Sequence, residues 1–403
     1  MLNLPKNIWV MSAVMALSFG STSMMVLIAG LIGAKLAPTA AMATLPYAVV
    51  VIGTASASIP AALLMQRVGR KRGVTISLSM AIGAAVLAAY AVSIGNFWLF
   101  VLGAFLLGAN ASFAQQGRFI ILENAVGTKQ QSDGLTLALL ANLTAAFLGP
   151  WMGQYGQHLF ADSADFTGSF ILLVCILSGA LLLLTQYTEQ AKPIVVENST
   201  GRPLWSIVRQ PSFLIAAGSA GFGFGIMALV MTATPVSMHE LEGHTVSHAA
   251  WVIQAHIIAM FLPSLLTGKL LKQGLSTSLL FAGLACYLIM CTIAYSGQEV
   301  MHYWWALVLL GMGWNFLFMT STARLGLSHT PEEKFKVQAC NDFMVFGVQA
   351  IAAFSAGWLL FRYGWGGVIN VAIGMTLFWS ICLAALTLKQ RKIALIKVRA
   401  DRS

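Results

Sequence analysis

The sequence has 403 residues, of which 58% are hydrophobic and only 9% charged, with 23 Lys and Arg against 13 Asp and Glu. Soluble domains carry about 25% charged residues, so this composition excludes a chain whose surface faces water and leaves lipid as the main solvent. The net charge of +10 does not mark a nucleic-acid binder, because the basic residues fall in short clusters between apolar runs and not along one face.

A bilayer core of ~30 Å is crossed by about 20 apolar residues in a helix. Runs of that kind lie at 9–34, 41–65, 74–95, 98–122, 135–158, 166–187, 212–237, 248–271, 276–296, 303–324, 339–361 and 367–388. The expected fold is therefore all-α, a polytopic membrane protein of twelve transmembrane helices. Placing the N-terminus in the cytoplasm puts Lys6, the 67–72 cluster, Lys129, Lys192, Arg202, Arg209, Lys269, Lys272, Arg324, Lys334, Lys336 and the tail bases inside. Only Lys35 and Arg362 then fall outside, which predicts both termini in the cytoplasm. The tail from Lys389 reads as a segment lying on the anionic inner leaflet. Cys175, Cys286, Cys291, Cys340 and Cys382 lie in or beside apolar runs without metal-ligand spacing, so they read as small hydrophobes, and no metal or cofactor is expected.

The polar stretch 188–210 divides the chain into an N-terminal bundle (1–187) and a C-terminal bundle (211–388), followed by a basic tail (389–403). Pro60, Leu107-Gly108 and Phe113 recur as Pro263, Leu310-Gly311 and Phe316 at an offset of 203, and Ala145-Ala146-Phe147 and Trp151 recur as Ala352-Ala353-Phe354 and Trp358 at 207. An ordered series of this kind predicts two pseudo-symmetric six-helix bundles, an architecture that holds its solute between the halves near the midplane. No GxxxxGK[ST] phosphate loop is present, which argues against an ATP-driven pump. Gly221, Gly223 and Gly225 sit within an apolar run and read as close helix packing.

Between the second and third spans the chain reads MQRVGRKRG. Arg67, Gly69, Arg70 and Lys71 resemble the loop signature of the major facilitator superfamily, with Gln66 where that family carries an acid and Ala62 where it usually carries glycine. In the family the acid helps lock the cytoplasmic gate. Asp342, at the start of the eleventh span, is therefore expected to pair with Arg67 or Arg70 when that gate is closed, which is the second-half counterpart of the missing charge. In the fifth span Ala141, Ala145, Gly149 and Gly153 recur every four residues on one helix face. With Pro150 they resemble the helix-kink motif of the drug:proton antiporter branch. Residues 230–238, 255–264 and 117–119 also resemble a bacterial branch that includes proposed riboflavin transporters.

Polar groups inside spans are costly and mark candidate sites. Arg118 is an anchor candidate for an anionic or carbonyl-bearing solute. Glu123 and His256 are proton-coupling candidates, because a nearby Arg or a change of solvation shifts either group across working pH. Gln115, Gln116, Asn142, Gln254, Asn315, Asn341 and Gln349 are uncharged candidates for a cavity wall, and Asn142 and Gln349 occupy equivalent positions at the 207 offset. Most Trp and Phe are expected at lipid or interfacial positions. The resulting expectation is a monomeric secondary transporter, not an enzyme, that moves a small organic solute with protons. Export by proton antiport leads, and import of a metabolite or vitamin-like compound such as riboflavin is the alternative. A polytopic membrane enzyme is remote, since Glu240, Glu242 and His244 lack catalytic spacing.

Overall fold

The computed structural model describes all residues except 1–3, 126, 160–165, 190–200, 331–332 and 401–403. Among the described residues the regular structure is entirely helical, as expected where lipid offers the backbone no hydrogen-bond partner. The first half contains α1 (Lys6–Leu36), α2 (Leu45–Val68), α3 (Arg70–Ser93), α4 (Phe97–Glu123), α5 (Gly127–Gly156) and α6 (Thr167–Leu184). A short helix, α7 (Leu204–Val208), precedes the second half. That half contains α8 (Pro211–Val236), α9 (Val246–Phe261), α10 (Ser264–Lys272), α11 (Ser276–Ser296), α12 (Val300–Gly326) and α13 (Lys334–Ala400).

Ten described stretches are long and apolar enough to cross a membrane. One of them, Lys336–Ile393, has 58 residues and turns back at Gly364, whose φ of 70° is open to glycine. It therefore supplies the last two spans. The 30-residue α5, whose first turns are polar, completes the twelve. α9 and α10 form a single span interrupted at Pro263, which cannot continue the helical hydrogen-bond ladder.

Small residues set the packing inside each half. Gly108 of α4 lies so close to α2 that a Cβ there would stand 2.1 Å from the Val50 carbonyl oxygen. Gly311 of α12, 203 residues later, lies against α9 in the same way, with the His256 carbonyl oxygen 2.6 Å from its notional Cβ. Lipid tails are as apolar as leucine, so such close backbone approach, rich in dispersion contacts, is what holds helices together in a membrane.

The halves meet at the end remote from the chain termini. The hydrogen bonds that cross between them among the described residues are both there: Gln154 of α5 donates to the Ser247 hydroxyl of α9, and the Gly357 amide of α13 donates to Thr44 Oγ1 at 3.0 Å. At that end every residue from Ser23 to Gly33 of α1 and from Gly225 to Val236 of α8 is buried. Toward the termini α2 and α13 lose this cover, leaving Ile59 and Leu63 exposed on one and Phe343 80% exposed on the other. The molecule is closed at the far end and open at the terminal end.

Candidate functional site

At the terminal end, α2 and α3 are joined by the single residue Gly69, whose φ of 93° lies in the region that side chains with a Cβ rarely adopt. The tight turn aims the N-terminus of α3 at two carboxylates. Glu189, just beyond α6, accepts from the backbone amides of Arg70 and Lys71, where the helix dipole favours negative charge. Glu123, the last residue of α4, takes the Arg70 guanidinium at two points, Nε at 3.1 Å and Nη2 at 2.5 Å. Lys71 Nζ donates to the carbonyls of Thr185 and Tyr187 at 3.0 and 2.6 Å, closing the C-terminal end of α6. Asn7 of α1 bonds both Asn124 and Thr188, and Asn124 donates to the Tyr187 hydroxyl at 3.0 Å. Burial raises the pKa of that phenol from its ordinary value. Four helix ends of one half are thereby tied together.

Gln66 and Arg67 are exposed. Among the described residues the carboxylates at the loop are Glu123, at the end of α4, and Glu189, just beyond α6. Asp342 is half-buried on α13 and accepts from Asn341 Nδ2 at 3.1 Å. Its expected pairing with Arg67 or Arg70 belongs to a conformation closed at this end, whereas here the end is open. Glu189 was missed because it sits in the polar linker. The available signal was an acid directly following the sixth span, within reach of the loop after the second.

In α5, Gly149 lies against α1, where a Cβ would stand 2.5 Å from the Met24 amide nitrogen, and Gly153 lies against Leu27 and Ile28. Pro150 stays within the helix. The small-residue face therefore seats α1 directly on α5.

The mid-membrane polar residues separate into two groups. Asn315 is fully engaged: its Nδ2 donates to the Met260 carbonyl and Ser264 Oγ, and its Oδ1 accepts from Thr267 Oγ1, all at 2.7 Å. It binds the α9–α10 break to α12, so its polar atoms serve structure. His256 is buried, and its Nδ1–H donates to the Leu307 carbonyl at 2.8 Å, because a carbonyl can only accept. That leaves Nε2 buried without a partner among the described residues. Asn142 is half-buried, its Oδ1 without a partner among the described residues, and the residue at the equivalent position in the second half, Gln349, is buried. Gln115 and Gln116 on α4 and Gln254 on α9 are half-buried. Arg118 occupies the last turns of α4, and its side chain lies outside the described residues.

A small recess lies within the first half between α1, α3 and α4, lined by Met11, Met15, Phe113 and the pair Ser77–Asn110, whose hydroxyl-to-carbonyl bond is 2.7 Å. The second half contains an aromatic wall instead. Trp314 and Phe318 of α12 stack at 4.7 Å between centroids with 18° between planes. Phe224 of α8 meets both edge-on at 5.1 and 5.6 Å, Phe346 of α13 meets Phe224, and Phe261 of α9 meets Trp314. Side chains from four helices thus converge near mid-membrane.

The family model for the Major Facilitator Superfamily matches residues 10–339. The chain belongs to that superfamily. A curated relative, the riboflavin transporter RfnT of Brucella anthropi, is 34% identical over 362 residues, covering 89% of this chain and 90% of that one. An uncharacterised major-facilitator transporter of Bacillus subtilis, YdeG, is 24% identical and covers 88% of this chain and 87% of its own length. Among solved structures, a bacterial homologue of the human lysosomal transporter Spinster, inward-facing and occupied, superimposes with a TM-score of 0.71 at 12% identity, over 95% of this chain and 96% of that one. This superfamily member is a transporter and not an enzyme.

Proposed function

We propose that this major-facilitator transporter carries riboflavin or a close flavin relative across the bacterial inner membrane into the cell by alternating access. The carrying observation is the 34% identity, extending over about nine-tenths of both chains, to a protein named as a riboflavin transporter. The open terminal end is then the cytoplasmic side, in accord with the clustering of Lys and Arg there, and the protein works as a monomer. Two matters are decided together: direction, and whether protons move with the solute.

A second reading, proton-coupled export, is favoured by the Gly149–Pro150 run that resembles the antiporter branch and by its close seat on α1. Expression in a riboflavin-auxotrophic bacterium lacking its own uptake system separates the two. Uptake predicts growth at low external riboflavin, and purified protein in liposomes will exchange labelled riboflavin. Extrusion of flavin from inverted vesicles that stops when the pH gradient is collapsed supports export instead. Membrane-inserted protein that moves no flavin in either assay overturns the substrate.

A further inference from the structure

The second half holds two Trp–Phe stacks on different sides of α8, and they are finished differently. On one side Phe222 stacks on Trp379 at 5.1 Å with 12° between planes, and the Trp379 indole N–H donates to Ser219 Oγ at 3.1 Å. In that stack the buried indole donor is satisfied by α8 itself. On the other side lies the Trp314–Phe318 stack, enclosed by Phe224, Phe261 and Phe346. Trp314 is only 4% exposed, yet its indole N–H has no acceptor among the described residues. A buried donor without an acceptor is what a settled core avoids, and phenylalanine would fill the site without it. Trp304, near the far end, shares this lack, but it stacks on Trp251, itself 45% exposed.

Position separates the wall from ordinary packing. Trp314 lies at the centre of α12, Phe224 at the centre of α8, and Phe261 at the break between α9 and α10. α9 and α13 are also the helices that reach the first half at the far end, so the wall stands on the helices that border the space between the halves. Phe224, Phe261, Phe318 and Phe346 each retain partial exposure, which leaves ring surface for another flat partner.

We infer that this wall is the ring-binding subsite: the face of a fused heteroaromatic ring lies on the partly exposed phenylalanines, and an acceptor on the ring's edge takes the Trp314 N–H as the wall closes on it. The inference rests on the flavin reading above, since isoalloxazine has both the flat face and edge carbonyl and nitrogen acceptors. It assigns recognition to the ring and little to the ribityl chain.

The test is a titration of purified protein in lipid nanodiscs with riboflavin and with lumiflavin, which keeps the ring and lacks the ribityl chain, following the rise in flavin fluorescence anisotropy as the ring is immobilised. Lumiflavin is expected to bind within about tenfold of riboflavin, and ribitol to displace neither. Phe318→Leu, which keeps apolar bulk but loses the flat ring, is expected to weaken both flavins by about tenfold, the scale of a lost aromatic pair with its buried area. Trp314→Phe keeps the stack and is expected to weaken both by about threefold to tenfold through the lost donor. Phe222→Leu is the control and leaves both affinities unchanged. Wild-type affinity in both Phe318→Leu and Trp314→Phe overturns the wall while leaving flavin transport standing. Binding of an acridine dye but of no flavin, with the same dependence on Phe318, overturns the flavin reading and leaves the wall. Absence of binding by any flat ring overturns both.

Discussion

Arg70 grips Glu123 through two of its guanidinium nitrogens, although 53 residues separate them in the chain. The pair joins the start of α3 to the end of α4 within one half, and both side chains remain partly exposed, at 24% and 37%. A half-hydrated ion pair contributes modestly. Glu123→Gln and Arg70→Gln are each expected to lower thermal stability, with a coupling of about 1 kcal/mol or less in a double-mutant cycle. If Glu123 also carries the coupled proton, Glu123→Gln abolishes the response of transport to a pH gradient. Full pH-driven transport in that variant removes it from the proton path.

Gly149→Ala forces a methyl group to within 2.5 Å of the α1 backbone. Relief requires α1 and α5 to separate, so a destabilisation of about 1–3 kcal/mol is expected from overpacking. Gly83→Ala places its methyl in open space and is expected to be neutral or stabilising by up to about 1 kcal/mol through helix propensity. Thermal unfolding of both variants in one detergent checks the contrast.

Gln154 and Ser247 touch across the halves only because the far end is shut. Cysteines at these two positions, in a background lacking the five native ones, are expected to form a disulfide that holds the far end closed. Transport should stop on oxidation and return on reduction. Unimpaired transport by a fully cross-linked sample rejects this closure as a step of the cycle.

Arg202, preceding α7, forms a second latch with Glu333 just before α13: Nη2 lies 2.7 Å and Nε 2.8 Å from the carboxylate, and Lys336 Nζ donates to the Arg202 carbonyl at 2.6 Å. The hydrogen bond from Arg202 is the main reason the Glu333 carboxyl titrates well below its ordinary value of 4.5. Because the folded value is lowered, the latch's stabilisation is complete above pH 4.5 and is lost only as pH falls below it toward the folded value. Thermal stability followed against pH should stay level across the neutral range and fall as pH drops below 4.5. In Glu333→Gln it should be lower than wild type throughout the neutral range.

The apolar spans could be read along the chain because a bilayer imposes one simple demand, a helix of about 20 apolar residues. Two details escaped that reading. The eleventh and twelfth spans run on through Gly364 with no polar loop, and the eighth breaks at Pro263 with Asn315 gathering the loose backbone. The site was less legible, because its partners are remote in sequence. Nothing local reveals that Glu189 caps α3, that Glu123 meets Arg70, or that Asn315 is occupied by Ser264 and Thr267 and so is spent as a cavity-wall candidate. The aromatic wall was hidden for a further reason: in an apolar chain a phenylalanine facing lipid and one facing a cavity look alike. What marks the wall is the geometry around Trp314, whose N–H has no acceptor among the described residues.

Among the described residues, the two hydrogen bonds that cross the far end, Gln154 to Ser247 and Gly357 to Thr44, join neutral groups. Separating them strips no charge of its counterion, and each donor and acceptor can be taken up by water as the seam parts. Such a joint is suited to repeated opening. The two arrangements of the halves need then differ by only a few kcal/mol, a gap that one bound solute can reverse through its differential affinity. The chain's scarcity of ions, imposed by its oily solvent, thereby also makes it a machine with a light touch.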